Sequence, residues 1–148
     1  MSDERFQDQN YTLTHFQNEV AIVCPKCQKK ALTNVNYDEK IAKLICTHCG
    51  FCEIKDTILT HMGYTNNFIG AANLYFKAEL WYIAAFKNNV FFAYNEAHLL
   101  YLEKYISAKL REHKDRKHFT LIEKLPKFYH EAKNREALLK IIEKLKTK

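Results

Sequence analysis

Glycine and proline are scarce in this 148-residue chain, at three and two. So few breakers leave most of the chain free to form regular structure, and they exclude a Gly- or Pro-rich linker or low-complexity tract. No run approaches the roughly 18 apolar residues of a membrane-crossing helix. The opening Met1-Ser2-Asp3-Glu4-Arg5 lacks the basic-then-apolar order of a secretory signal. Also missing are a Ser/His/Asp arrangement, a His-Glu-x-x-His helix and a phosphate-cradling glycine loop. The carboxylates near the basic cluster (Glu112, Asp115, Glu123) are scattered rather than gathered as around a catalytic Mg²⁺. These absences predict a soluble, cytoplasmic, non-enzymatic protein with no membrane partner and no small-molecule substrate.

Aromatics and positive charge are plentiful. Nine Tyr, ten Phe and one Trp make up 14% of the residues, and the net charge is +6. The charge is uneven: residues 1–60 carry seven Lys/Arg against eight Asp/Glu, residues 61–148 sixteen against nine. A basic surface suits a polyanion such as nucleic acid, and it also serves solubility.

The fold class expected is α+β: an N-terminal three-stranded Cys₄ sheet followed by a β-hairpin and about three helices. Residues 1–19 are polar and form an N-terminal tail. Residues 20–60 hold β-like runs (Val20 to Val23, Ala31 to Tyr37, Ile41 to Ile45, Glu53 to Leu59) around the cysteine pairs. Residues 61–78, with Gly63, Gly70 and several Asn/Thr, read as a connector. In residues 79–148, Leu80 to Phe86 and Val90 to Tyr94 flank Lys87-Asn88-Asn89 as a hairpin. Both hairpin faces are apolar, so either both are covered or one is an interface. Asn95 suits an N-cap for a helix running to about His113 on Leu99, Leu102, Ile106 and Leu110. Thr120-Leu121-Ile122-Glu123 has the form of a capping box. Residues 134–146 are amphipathic, with Ala137, Leu138, Ile141, Ile142 and Leu145 facing inward.

Cys24-x-x-Cys27 and Cys46-x-x-Cys49 stand eighteen residues apart. Two residues between thiolates let a tight turn aim both sulfurs at one ion, with backbone N–H groups directed at them. Two such turns complete a tetrahedron, the spacing of a Zn²⁺ site. Iron is a chemical alternative for four thiolates. With every position filled by protein, the metal is structural. The βαβ setting of a thioredoxin-like CxxC is not visible. The fifth thiol, Cys52, is an alternative to Cys49 as ligand or else a half-buried strand residue, and His48 reads as a surface residue of the second turn.

Residues 20–58 resemble a zinc ribbon of the transcription factor IIB, rubredoxin-knuckle type, through Cys24-Pro25-Lys26-Cys27 and Cys46-Thr47-His48-Cys49-Gly50. The resemblance implies three antiparallel strands carrying two knuckles. Gln28 stands where the family usually has glycine. The remainder is similar to bacterial proteins named only for their ribbon, through Ala93-Tyr94-Asn95-Glu96-Ala97-His98-Leu99, Ser107-Ala108-Lys109-Leu110-Arg111-Glu112, Leu125-Pro126-Lys127 and Ala132-Lys133-Asn134-Arg135. That likeness implies architecture and no activity.

Ribbons bind DNA, RNA or proteins, so the fold does not fix the role. Four thiolates outweigh the two charges of Zn²⁺, and Lys26, Lys29 and Lys30 beside the first knuckle are few. Most of the charge for phosphate contacts is therefore expected from the C-terminal region: Lys109, Arg111, Lys114, Arg116 and Lys117. The same cations also complement a helix C-terminus. The hairpin aromatics suit either base stacking or a core under helices. His98, near the helix start, is a candidate functional residue or a local hydrogen-bonding one. The leading expectation is a nucleic-acid-binding accessory protein. The alternative is an adaptor whose ribbon and apolar hairpin dock a larger enzyme or a second copy.

Overall fold

A computed structural model describes residues 5–7, 16–61, 64–67, 70–108, 110–112 and 125–148. After a short β1 (Arg5–Gln7), the strands β2 (Glu19–Val23), β3 (Lys30–Asn36), β4 (Ile41–Ile45) and β5 (Cys52–Asp56) form one antiparallel sheet in that order. A sheet ahead of a hairpin and helices bears out the α+β class. The sheet has four strands where three were expected, because Glu19–Val23 pairs with β3 along its whole length, Ala21 opposite Leu32.

Period-2 alternation gives the sheet two faces. On one face Val20, Ile22, Ala31, Val35, Ala42 and Leu44 are buried, and Cys24 and Cys46 close its end. Thr33 is also buried there, and its hydroxyl donates to the Val20 carbonyl at 3.1 Å, so it is not left without a partner. A 3₁₀ turn, Ala72–Phe76, covers this face with Ala72 and Tyr75. Its approach is pinned where the Tyr37 hydroxyl meets the backbone of Gly70. Between sheet and turn, β6 (Ile58–His61) and β7 (Tyr64–Asn67) pair antiparallel: β6 starts within the run read as Glu53 to Leu59, and β7 lies in the stretch 61–78 read as a connector.

The hairpin is β8 (Tyr82–Phe86) and β9 (Asn89–Ala93), joined at Lys87 and Asn88, with Lys87 left-handed at φ 52°. Its inner face, Tyr82, Phe86, Phe91 and Ala93, is buried. Phe86 stacks on Phe128 with centroids 5.5 Å apart, and Phe91 lies 5.3 Å from Tyr129. The aromatics thus build a core. On the outer face Ile83 and Val90 stay exposed, so one side of the hairpin is uncovered among the described residues.

The first helix, α1 (Glu96–Ser107), is capped as expected: the Asn95 side-chain carbonyl accepts the His98 N–H at 2.8 Å. The Asn95 amide also donates to the carbonyls of Phe16 and Glu19, at 3.1 and 2.7 Å, tying the helix start to the sheet. α1 ends six residues before His113. Ala108 is extended, and β10 (Leu110–Glu112) pairs in parallel with β1 instead. The apolar spacing that carries the helix forward to Leu110 loses there to a strand partner far away in sequence. The last helix, α2 (Arg135–Lys146), buries Leu138, Ile142 and Leu145 against α1 and β8. Ala137 is exposed, contrary to expectation, and Leu139 takes its place at the rim of the core. The proposed capping box at Thr120 to Glu123 lies outside the described residues.

Sheet and hairpin are joined through backbone. On the edge of β2 away from β3, Trp81 N–H donates to Ala21 O at 3.0 Å and Val23 N–H to Glu79 O at 2.9 Å. Ala21 N–H donates to Tyr94 O at 2.6 Å. Ala21 packs into the hairpin–helix core while its neighbours Val20 and Ile22 pack into the sheet core.

Candidate metal centre

Two turns of one design hold the cysteines. In the first, after β2, Cys24 N–H donates to Lys29 O at 2.8 Å and Gln28 N–H to Cys24 O at 2.9 Å. In the second, between β4 and β5, Cys46 N–H donates to Phe51 O at 2.8 Å and Gly50 N–H to Cys46 O at 2.9 Å. The pattern repeats residue for residue. Gln28 and Gly50 occupy matching positions and both turn left-handed, at φ 64° and 82°. In each turn the first cysteine is buried; of the second ones, Cys27 is half-buried and Cys49 exposed.

The four sulfurs lie within 4.8 Å of one another. Cys24 Sγ is 3.7 Å from Cys49 Sγ, and Cys27 Sγ is 3.6 Å from Cys46 Sγ. A tetrahedral ion with bonds of about 2.3 Å sets its sulfurs about 3.8 Å apart, so the thiols already stand at ligand separation. Backbone amides address them: Lys26 N–H points to Cys24 Sγ at 3.4 Å and Cys49 N–H to Cys46 Sγ at 3.5 Å.

The cluster is electrostatically unequal. Burial opposes ionisation of Cys24, but the N–H groups of Cys27 and Lys26 and the neighbouring thiols bring it down to about 6. For Cys27, the Lys29 amide favours the thiolate. Burial and the thiols of Cys46, Cys49 and Cys24 outweigh it and push Cys27 up to about 12. Cys49 is raised as well: the Phe51 amide and the Cys27 thiol favour its thiolate, but burial and the thiols of Cys46 and Cys24 prevail. One thiolate forms readily and its neighbours resist, since negative charges at this spacing repel. A divalent cation removes that conflict. Donor set, spacing and charge therefore fit a metal ion, and Cys24, Cys27, Cys46 and Cys49 are positioned to bind one.

Cys52 is exposed on β5 and outside the cluster, which corrects the expectation of a half-buried thiol. His48 is exposed, as a surface residue of the turn should be. His98 is buried; its Nδ1 accepts the Tyr94 N–H at 3.0 Å and its ring stacks on Phe16 at 4.7 Å. Burial lowers its pKa to about 4, so it is a neutral core residue at ordinary pH. Of the expected phosphate contacts, Lys109, Lys114, Arg116 and Lys117 lie outside the described residues; Arg111 falls in β10, and its side chain lies outside them too.

Sequence reasoning missed a row of exposed isoleucines on the second face of the sheet, Ile41, Ile45 and Ile54. The alternation there is that of an ordinary half-buried strand, and its uncovered side is set by where the hairpin lands.

Comparison of the chain with protein-family models, with curated proteins and with solved structures yields no match. Among the described residues no helix is long and apolar enough to cross a membrane.

Proposed function

We propose that this chain is a zinc-stabilised accessory protein that binds nucleic acid without catalysis. The four-thiolate cluster supports the first half. Its donors are soft sulfur at tetrahedral spacing, which suits Zn²⁺, and four protein ligands leave no position for a reacting water. Cys24, Cys27, Cys46 and Cys49 hold the ion, which fixes the turns and thereby the sheet. Metal analysis tests this: one zinc per chain is expected, and a reddish protein carrying iron would replace zinc in the reading.

The excess of Lys/Arg in residues 61–148 supports the second half. Lys109, Arg111, Lys114, Arg116 and Lys117 follow the end of α1 and contact phosphates. The test is a titration of the zinc-loaded protein against single-stranded DNA, duplex DNA and RNA at two salt concentrations. Affinity falls steeply with salt if phosphates are bound and is lost when those five cations are neutralised. No binding at low salt sinks the reading.

A second reading, a protein–protein adaptor, is favoured by the exposed Ile83 and Val90 on the hairpin's outer face. It predicts protein binding that is insensitive to salt and lost on changing those two residues to polar ones.

A further inference from the structure

We infer that β5 is a self-recognition edge, through which two copies of this chain pair antiparallel about a twofold axis at Ile54. The inference is independent of the nucleic-acid reading, since neither the basic stretch nor the identity of the metal enters it.

β5 is the last strand of its sheet, and among the described residues no strand pairs with its outer edge. Hydrogen-bonded pairs alternate along an antiparallel ladder. Cys46 N–H bonds Phe51 O and Thr57 N–H bonds Lys40 O, so Phe51, Glu53, Lys55 and Thr57 turn their backbone groups toward β4. Cys52, Ile54 and Asp56 therefore turn theirs outward. An antiparallel copy centred on Ile54 sets Ile54 against Ile54 and Cys52 against Asp56, each pair exchanging both of its backbone bonds. The outward groups are thereby satisfied in that register.

The side chains select the same arrangement. Glu53 and Lys55 share a face and form an ion pair at 3.4 Å within the strand. Pairing about Ile54 puts Glu53 opposite Lys55 of the second copy and Lys55 opposite its Glu53, an alternating square of charges. The twofold registers on either side set Glu53 on Glu53 or Lys55 on Lys55, and like charges directly opposite are unfavourable. Charge on an edge strand ordinarily deters pairing. Here its order along β5 is complementary to its own reverse, which names a second copy as the occupant.

On the other face Ile54 is 60% exposed, and Ile45 and Ile41 beside it are 38% and 39% exposed. Ile54 lies opposite Lys43 on β4, with Ile45 and Ile41 in the flanking rows. Pairing joins the Ile54 side chains of the two copies and makes one apolar strip across the axis. Such isologous contacts, the same patch on both copies, are the commonest in homo-oligomers.

The test is sedimentation of the full, metal-loaded chain over a concentration series, with metal content measured on every variant to verify the sheet. The wild-type chain is expected to dimerise. E53K sets two lysines of one copy against two of the other, and K55E does the same with glutamates; each weakens the dimer about tenfold or more. Mixing E53K with K55E yields a heterodimer, because each lysine then meets a glutamate. The double variant E53K/K55E restores the homodimer. A wild-type chain that stays monomeric, or a dimer indifferent to the single variants, overturns the inference; the second outcome places the contact on another face, such as Ile83 and Val90.

Discussion

The molecule has two cores, made from different materials. The sheet core is mostly small: Val20, Ile22, Ala31, Val35, Ala42 and Leu44, with two cysteines and Tyr75. The hairpin–helix core is large and aromatic: Phe86, Phe91, Tyr101, Tyr105, Phe128 and Tyr129 among Leu99, Leu102, Leu138 and Ile142. Apolar burial contributes about 25 cal/mol per Å², so the second core has far more to draw on. A sheet of roughly forty residues with small side chains falls in the size range that needs a staple. The cysteines belong to the core that cannot supply its own stability.

The largest effect is expected at the thiols of the sheet core. Cys24→Ser and Cys46→Ser should each abolish metal binding and unfold the sheet, since structural zinc contributes about 10–16 kcal/mol of folding free energy in small modules. Metal stoichiometry and near-ultraviolet dichroism check this, and a full metal complement in either variant removes that cysteine from the site. In the other core, Leu138→Ala should cost about 2–5 kcal/mol in denaturant unfolding while the metal content stays unchanged.

Acid offers a third contrast. His98 is held down to about 4 by burial, below the ordinary 6.5, so the unfolded chain takes up its proton first as pH falls. The stability associated with a neutral His98 is complete above pH 6.5 and is lost between 6.5 and 4, by about 3 kcal/mol. His98→Gln should flatten that part of the pH profile. The smallest effects belong to the two knuckles. Gly50 sits at φ 82°, and a methyl group added there would meet open space. Gly50→Ala should therefore cost only the left-handed backbone penalty, about 1–2 kcal/mol. Gln28→Gly should gain about 1 kcal/mol at the matching position of the first turn, read as a shift in the urea midpoint of the loaded protein.

The features legible in the sequence are those written in neighbouring residues. The two CxxC turns, the Asn95 cap, the hairpin around Lys87-Asn88 and the amphipathic α2 all follow from spacings of a few positions. The rest depends on partners far along the chain. Nothing in Val20 to Val23 announces that its free edge will bond Glu79, Trp81 and Tyr94, because backbone pairing leaves no side-chain signature. The end of α1 at Ser107 is hidden for the same reason, as β10 answers to β1. The exposed face of Ile41, Ile45 and Ile54 reads as ordinary alternation until the position of the hairpin is known.

The double-sided bonding of β2 undoes the separation of the two cores. Val20 and Ile22 belong to one and Ala21 to the other, so no opening of the sheet leaves the aromatic side untouched. Amide protons of Ala21 and Val23 should exchange with solvent only when the whole molecule opens. Stripping a metal from the four cysteines at the end of the sheet should therefore speed exchange in α1 and α2 as well as in the sheet, as in one cooperative unit.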